Sequence, residues 1–526
     1  MTKQSTCNAD SSVAAADVES QQHTLPRRPS IQAPISSEQQ QSPQSPSQRK
    51  TTQHAKNKPK DDSPTNTSRN IISPRKQQRQ KSKRKRSWRW TDPFTLVTVG
   101  LSIYVSCSML SIHHQHYHSH HHYIHHHHHG INNFYHPYLM SQESFRNRKR
   151  YDICIVGAGL SGSVLAERYA SQYNASVLVM EQRDHIGGNC YDYIDDETDI
   201  RVSKYGAHIF HTSYERVWDY LQQFSNWTTY EHEVVGSVLN GTAIVPIPVN
   251  IETVNTLFGL DIQNTQEMDE WLAKEQVKFD NPIANSEEMA LSRVGPRLYD
   301  LIFKPYTEKQ WGTSPRELGP EVTARIPVRN NHDKRYFTDP HQALPTDGYT
   351  AMFHNMLSHP KIDVKVNTNY FDIKDDIDCE HRTYYTGPID VYFSDLGWDK
   401  LEYRSLDFER RVLKNVPAFQ SKSVVNHPSL DENFTRIVEY KHFLQQSSPH
   451  TVIFYEHSKA GGEPYYPVPN DRNRKLYQKY QSMAEATPNV SFVGRLANYK
   501  YFNMDQAILN ALEIFDKDTI SFSMQS

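Results

Sequence analysis

YDICIVGAGLSGSVLAERYASQYNASVLVMEQRDHIGGN, residues 151–189, decides the fold. Ile153, Cys154, Ile155 and Val156 form an apolar run short enough for a buried strand. Gly157, Gly159 and Gly162 follow in G-x-G-x-x-G spacing. A helical segment continues to about residue 173, and a second apolar run, 177–180, ends at Glu181. Strand, glycine turn, helix, strand and acid in this order make a βαβ dinucleotide-binding unit of a Rossmann-like domain. The first glycine permits a tight turn, the second lets a pyrophosphate approach bare backbone at a helix N-terminus, and the third lets helix and strand pack closely. Glu181 stands where a carboxylate accepts ribose hydroxyls. A chance glycine-rich turn would not bring the second strand and the acid with it.

Directly after the acid come Arg183 and a second glycine turn, Ile186, Gly187, Gly188 and Asn189. In this the chain resembles flavin-dependent oxidoreductases and amine oxidases, which implies bound FAD. The expected cofactor-binding residues are then Gly157, Gly159, Gly162, Glu181, Arg183, Gly187, Gly188 and Asn189.

The 526 residues carry a formal net charge of −2, with an isoelectric point near 7.0. Such balance argues against nucleic acid as a partner of the whole molecule. The mean hydropathy of −0.75 is low for a folded enzyme, and the N-terminal region accounts for much of it. Residues 1–93 read as a disordered tail ending in a basic run that includes Lys83, Arg84, Lys85 and Arg86. Residues 94–112 hold no charge and have the length of a membrane span, with Trp88 and Trp90 at its interface and the basic run on its cytoplasmic side. Residues 113–149 form a His-rich linker whose spacing defines no metal site. This predicts a single-pass membrane protein of the Golgi or endomembranes, with an uncleaved or cleaved targeting signal as the competing reading. The side of the catalytic region stays open. The positive-inside rule and sequons at Asn226, Asn240, Asn433 and Asn489 point to the lumen. The cysteines, Cys7, Cys107, Cys154, Cys190 and Cys379, form no disulfide framework and point to a reducing compartment, and a flavin that needs a reductant likewise favours the cytosol.

The rest of the chain divides by pattern. Residues 150–233 hold the first part of the FAD-binding domain. Residues 234–250 read as a β-hairpin around Asn240-Gly241. Residues 251–310 read as a helical substrate domain, with Leu291, Val294 and Leu298 at helical spacing and cap chemistry between 281 and 288. Residues 311–490 read as an antiparallel sheet domain with returns to the FAD domain, its strands including the runs at Val364, Val424, Ile437 and Val452. Residues 491–520 supply a last strand and helix of the FAD domain. The segment KYGAHIFH, 204–211, places His208 and His211 around a Gly-Ala turn; it reads equally as a loop beside a flat ring or as a strand with satisfied histidines. Aromatic residues interleave with arginines in KPYTEKQWG (304–312), ARIPVR (324–329) and RYF (335–337). Rings stack on a base and guanidinium groups fork onto phosphates, so these segments suit a nucleotide. A Tyr- and Trp-rich core edge with surface arginines is the plain alternative.

Taken together, KYGAHIFHT (204–212), YTEKQWG (306–312), RIPVR (325–329), YTGPID (385–390), LEYRSL (401–406), EPYYP (463–467) and GRL (494–496) resemble the UDP-galactopyranose mutase family, its bacterial branch above all. The likeness runs from residue 151 to about 514. It implies an α/β enzyme: a Rossmann-like FAD-binding domain with a helical insert and an antiparallel β-sheet domain. It implies an isomerase that interconverts UDP-galactopyranose and UDP-galactofuranose through a covalent adduct of the sugar with N5 of reduced FAD. An electron donor, expected to be reduced nicotinamide, and a homodimer belong to the same expectation. By motif, Tyr306 and Trp311 resemble the uridine contacts, and Arg325 the loop arginine that closes on the diphosphate. Tyr336, Arg404, Tyr466, Arg495 and Tyr501 resemble further substrate contacts. Arg495, Asn503 and Met504 resemble cofactor contacts. Arg325, Arg495, His208 and His211 are the catalytic candidates, with no acid–base role assigned to the histidines. The family's Tyr-x-Asp-Met-His reads Tyr501-Phe-Asn503-Met504-Asp505 here, which puts flavin or substrate tuning in question. The competing readings are an FAD-dependent amine oxidase-like oxidoreductase and an inactive nucleotide-sugar binding protein.

Overall fold

A five-stranded parallel sheet carries the glycine motif. Its order is Ile362–Lys365, Val177–Met180, Lys149–Val156, Ile377–Tyr385 and Val490–Phe492. The computed structural model describes residues 148–522. The basic tail, the expected membrane span at 94–112 and the His-rich linker up to residue 147 lie outside the described residues; Lys149, expected to end the linker, already belongs to the first strand. Among those that are described, no helix is long and apolar enough to cross a membrane.

The strand β1 (Lys149–Val156), the helix α1 (Leu160–Tyr173) and the strand β2 (Val177–Met180) form the expected βαβ unit. Alternation along the strands explains their composition. Ile153 and Ile155 join Val177 and Val179 in the main core. Cys154 joins Leu178 and Met180 in a smaller cluster. Both faces are covered there, so β2 and the Ile153–Val156 half of β1 are apolar throughout. The C-terminal helix Met504–Phe522 packs beside α1. Tyr169 of α1 meets Phe515 edge-on at 5.0 Å and shares a 2.5 Å hydrogen bond with Tyr384.

The strand Ile362–Lys365 pairs parallel to β2. The expectation that the Val364 run belongs to the antiparallel sheet is therefore wrong; it is one of the returns to the FAD domain. A short apolar run carries no record of which sheet it joins.

The second sheet has seven strands, in the order Tyr466–Pro467, Tyr403–Leu413, Thr451–Ala460, Arg436–Glu439, Val424–Asn426, Val234–Val238 and Ala243–Ile247. The hairpin around Asn240-Gly241 forms as expected. All neighbours are antiparallel except Val424–Asn426 against Val234–Val238, which run parallel. The region read as β-rich also contains a 16-residue helix, Asp471–Ala486. Its core side is thin, with Asn473, Leu476 and Tyr480 buried, so its apolar periodicity is weak.

The helical insert comprises Ile251–Phe258, Thr265–Glu275, Ser286–Leu298 and Lys304–Trp311, the last two joined by a π-helical turn, Tyr299–Phe303. Asn250, Asn264 and Asn285 cap the first three, each accepting a backbone N–H three residues on. The insert kinks at Gly295-Pro296, where the glycine φ is 73° and a Cβ would stand 2.2 Å from the Glu275 carbonyl oxygen.

Cys154 and Cys379 form a disulfide between β1 and Ile377–Tyr385, with Cα atoms 5.7 Å apart. The reading of the cysteines as no disulfide framework did not foresee this pair. The two stand 225 residues apart in the chain. Nothing in their spacing records that contact. Cys190 is buried and unpaired.

At Gly162 a Cβ would lie 2.0 Å from the Gly157 carbonyl oxygen and 3.1 Å from Ile155 Cγ2. Gly162→Ala must therefore push α1 off β1. Such overpacking costs about 1–3 kcal/mol, and we expect a lowered denaturant midpoint with an unchanged slope; an unaltered midpoint would show that helix and strand can separate freely.

Candidate active site

A cleft of about 1300 Å³ opens at the C-terminal ends of the parallel strands. Gly157, Gly159, Glu181, Arg183, Gly187, Gly188 and Asn189 line it. Arg495, Asn503 and Met504 line it from the far end. Gly162 is not on the wall; its part is the helix–strand approach described above.

The residues present fit a dinucleotide. A Cβ on Gly159 would meet nothing within 4 Å but Gly188 Cα, at 3.8 Å. The backbone is thus left bare towards the cleft. No side chain caps α1 at Gly159, so its positive end is free to face phosphate. The two glycine turns lock together: Gly187 N–H donates to the Ala158 carbonyl at 2.9 Å. Glu181 braces both turns, its two oxygens accepting Ala158 N–H and Arg183 N–H at 2.9 Å each. A carboxylate has about four acceptor sites, which leaves capacity for ribose hydroxyls. Arg183 donates to Asn189 and to Glu463 at 3.0 and 2.8 Å. It also lies 4.3 Å over the Tyr205 ring, and so ties the cofactor end to the EPYYP segment.

A second cavity, about 260 Å³, adjoins the first. His208, Trp311, Arg495, Asn503 and Met504 line both. Tyr306, Arg325, Tyr336, Tyr466, Tyr501 and His211 line the smaller one. The structure thus gathers nearly all the expected substrate residues at one place. Arg404 is the exception. It lines the larger cleft only, donating to the Gln310 carbonyl at 3.0 Å and to Ser458 Oγ at 2.9 Å.

The walls are aromatic and cationic. Tyr466 stacks on Tyr501 at 5.4 Å, and Trp311 is tilted against Tyr466 at 6.4 Å. Arg325, largely exposed, lies 4.6 Å over the Tyr501 ring. Arg495 lies 5.3 Å from the same ring, with its donors on the Phe502 and Tyr465 carbonyls. Burial raises the pKa of the Tyr501 phenol, but Arg325 and Arg495 outweigh it and hold the group below its ordinary value.

The histidines behave differently from one another. His208 Nδ1 is 2.9 Å from the Gly206 carbonyl oxygen, which makes Nδ1 the donor and leaves Nε2 an acceptor. Burial depresses its pKa to about 4, so it is neutral at pH 7. His211 stacks on Phe337 at 3.6 Å, and its Nδ1 is 2.8 Å from Asp339. Burial raises the Asp339 pKa, but hydrogen bonds from Ser213 and His211 reverse this and lower it. Asp505 is buried, and burial raises its carboxyl pKa.

Sequence reasoning missed four participants. Arg436 and Asn426 line the smaller cavity; Arg436 reads from the sequence only as the start of the Ile437 strand run, and Asn426 carries no signal of its own. Arg436 pairs with Glu456, Nε to Oε2 at 2.5 Å. The two are direct cross-strand partners, so only the register reveals them. Glu456 Oε1 is buried without a partner. Lys309, from the YTEKQWG motif, donates to the carbonyls of His427, Glu432 and Phe434 at 2.7, 3.0 and 2.8 Å, and to that of Ser429. Burial lowers its pKa to about 8. This one ammonium group shapes the loop between Asn426 and Arg436.

The comparisons agree with this geometry. The family described as "UDP-galactopyranose mutase" matches residues 301–501, and an "NAD(P)-binding Rossmann-like domain" matches 155–224. A "Probable UDP-galactopyranose mutase" of Klebsiella pneumoniae is 39% identical over 381 residues, spanning 71% of this chain and 96% of that protein. A "dTDP-fucopyranose mutase" of Escherichia coli is 34% identical over 369 residues, spanning 69% and 96%. Among solved structures, that of a reduced UDP-galactopyranose mutase superposes with a TM-score of 0.55 at 17% identity, covering 70% of this chain and 95% of that one. With two adjoining cavities built from the family's motifs and coverage nearly complete on the relatives' side, the chain belongs to the UDP-galactopyranose mutase family.

Proposed function

We propose that the protein interconverts UDP-galactopyranose and UDP-galactofuranose, with FAD in the larger cleft and the nucleotide sugar in the smaller cavity. The observation that carries this reading is the shared wall of the two, where His208, Trp311, Arg495, Asn503 and Met504 face both. A sugar held there would stand against the ring end of a bound flavin. Reduced FAD supplies a nucleophilic nitrogen for ring contraction without net oxidation.

The chain's own residues bind and orient. Trp311 and Tyr306 offer faces to the uracil. Arg325 and Arg436 supply charge-assisted donors for the diphosphate. Arg436 is fixed by Glu456, whereas Arg325 rests on a ring and is free to move onto an anion. Arg495, with its donors on carbonyls, holds the Phe502–Met504 turn against the flavin end and adds positive potential. Neutral His208 presents an acceptor to sugar hydroxyls without adding a proton donor. We assign the electron donor to the reduced nicotinamide class, and a homodimer remains part of the proposal.

Reduced enzyme given UDP-galactofuranose should form UDP-galactopyranose, and an absence of that product would sink the reading. The assay should include dTDP-fucofuranose, because a relative bears that activity's name. Arg325→Ala should lower kcat/KM by one to two orders of magnitude, matching the loss of about 1.5–3 kcal/mol for hydrogen bonds to a charged group. Its FAD content should stay normal; near-normal turnover would remove Arg325 from the clamp.

Gly159→Ala separates cofactor binding from folding. A methyl group there enters the open cleft, so the denaturant midpoint should hold while FAD retention falls. Equal FAD content in variant and parent would contradict the placement.

A pH effect follows from His208. Its folded pKa, about 4, lies below the ordinary 6.5, so the folded state favours the neutral form. The stability this contributes is complete above about pH 6.5. It is lost as pH falls from there towards 4. His208→Gln should flatten part of that acid loss, read as denaturant midpoints at pH 7.5 and 5; identical slopes would assign the loss to other groups such as His232, whose pKa burial lowers to about 3.

A further inference from the structure

Two independent chemistries on this chain point to one environment. The first is the disulfide Cys154–Cys379. Cys154 is wholly buried in the central strand of the cofactor sheet, where it packs with Leu178 and Met180. The bond joins two strands whose C-terminal ends carry Gly157 and Thr386 into the cofactor cleft. Disulfides persist in oxidising compartments and are rare in the cytosol.

The second is a set of five Asn-x-Ser/Thr sequons in the described chain: Asn174, Asn226, Asn240, Asn433 and Asn489. All five asparagines are exposed. Asn174, Asn240 and Asn489 occupy left-handed turn positions, with φ of 52°, 53° and 59°. Turn chemistry alone favours asparagine there, but it does not call for Ser or Thr two residues later. Only Asn240 has a side-chain hydrogen bond, accepted by its Oδ1 from Ser429 at 3.5 Å. Their amide nitrogens are therefore free. None of the five lines either cavity, so a glycan on any of them leaves the active site open. At Asn226 and Asn240 the hydroxyl residues, Thr228 and Thr242, are exposed as well.

We propose that the catalytic unit resides in an oxidising, glycosylating lumen, with Cys154–Cys379 closed and N-linked glycan on exposed sequons, Asn226 and Asn240 foremost. In the first modification, two thiols lose two protons and two electrons to a disulfide-bearing oxidoreductase, and the S–S bond forms. In the second, the asparagine amide nitrogen bonds to the anomeric carbon of a lipid-diphosphate-linked oligosaccharide. The nitrogen loses a proton and the lipid diphosphate leaves. Both steps use only residues outside the proposed catalytic set. The inference does not rest on the mutase reading, and its test is read from modification of the chain and not from turnover.

The test uses the full chain expressed in a eukaryotic cell with a secretory pathway. Free thiols are alkylated at lysis, and the chain is then analysed with and without a peptide-N-glycosidase. The expected result is a faster band after glycosidase, conversion of Asn226 and Asn240 to aspartate, and a Cys154–Cys379 linked peptide that separates only on reduction. Asn226→Gln with Asn240→Gln should remove most of the glycosidase-sensitive shift. A chain whose mobility the glycosidase leaves unchanged overturns the proposal, as does recovery of Cys154 and Cys379 as alkylated thiols.

Discussion

Three guanidinium groups meet around a cavity of about 260 Å³, and like charges brought together in a low-dielectric space repel. The fold answers this differently for each. Arg436 has a buried carboxylate, Glu456, directly across the strand pair. Arg495 spends its donors on two backbone carbonyls. Arg325 is left exposed over Tyr501. One positive charge is neutralised, one is dispersed by dipoles and one is kept on a ring. The arrangement is completed by an anion, and a diphosphate has the charge and the oxygens to do it.

The same constraint explains the surrounding polypeptide. A cation in a strand must be matched by register, which fixes Arg436–Glu439 against Thr451–Ala460. The loop feeding that strand, closed by His427 N–H on the Thr435 carbonyl at 2.8 Å, needs further support. Lys309 supplies it, gathering four carbonyls from one stretch. Its helix also carries Tyr306 and Trp311. In the proposed reading, nucleotide recognition and cation placement are therefore set by one eight-residue helix, which accounts for the density of the YTEKQWG motif.

What could be read from the sequence was local. The glycine spacing and Glu181 specify backbone geometry within one βαβ unit, and the structure builds that unit as expected. The Asn-Gly hairpin and the asparagine-capped helix at Ser286–Leu298 were legible for the same reason. The expectation of Tyr306, Trp311, Arg325, Tyr336, Tyr466, Arg495 and Tyr501 came from the resemblance of their motifs to the family's, and the structure brings these residues to one cavity. Arg436, Glu456 and the Cys154–Cys379 pair were not legible. Each depends on which residue faces which across strands 20 to 225 residues apart, and strand composition holds no record of register. Val364 was assigned to the wrong sheet for that reason.

The contrast between Arg325 and Arg495 carries the argument one step further. A group already satisfied by protein carbonyls gives up little on ligand entry and gains little beyond its field. A group resting on an aromatic face exchanges a contact worth about 0.5–1 kcal/mol when exposed for charge-assisted hydrogen bonds worth about 1.5–3 kcal/mol. The difference favours movement of Arg325 and immobility of Arg495. In the proposed reading, binding of the diphosphate is then itself the event that completes the cavity wall. The cofactor side, braced by Glu181 and by the locked glycine turns, needs no such adjustment. One half of the site is preorganised, and the other is finished by the substrate.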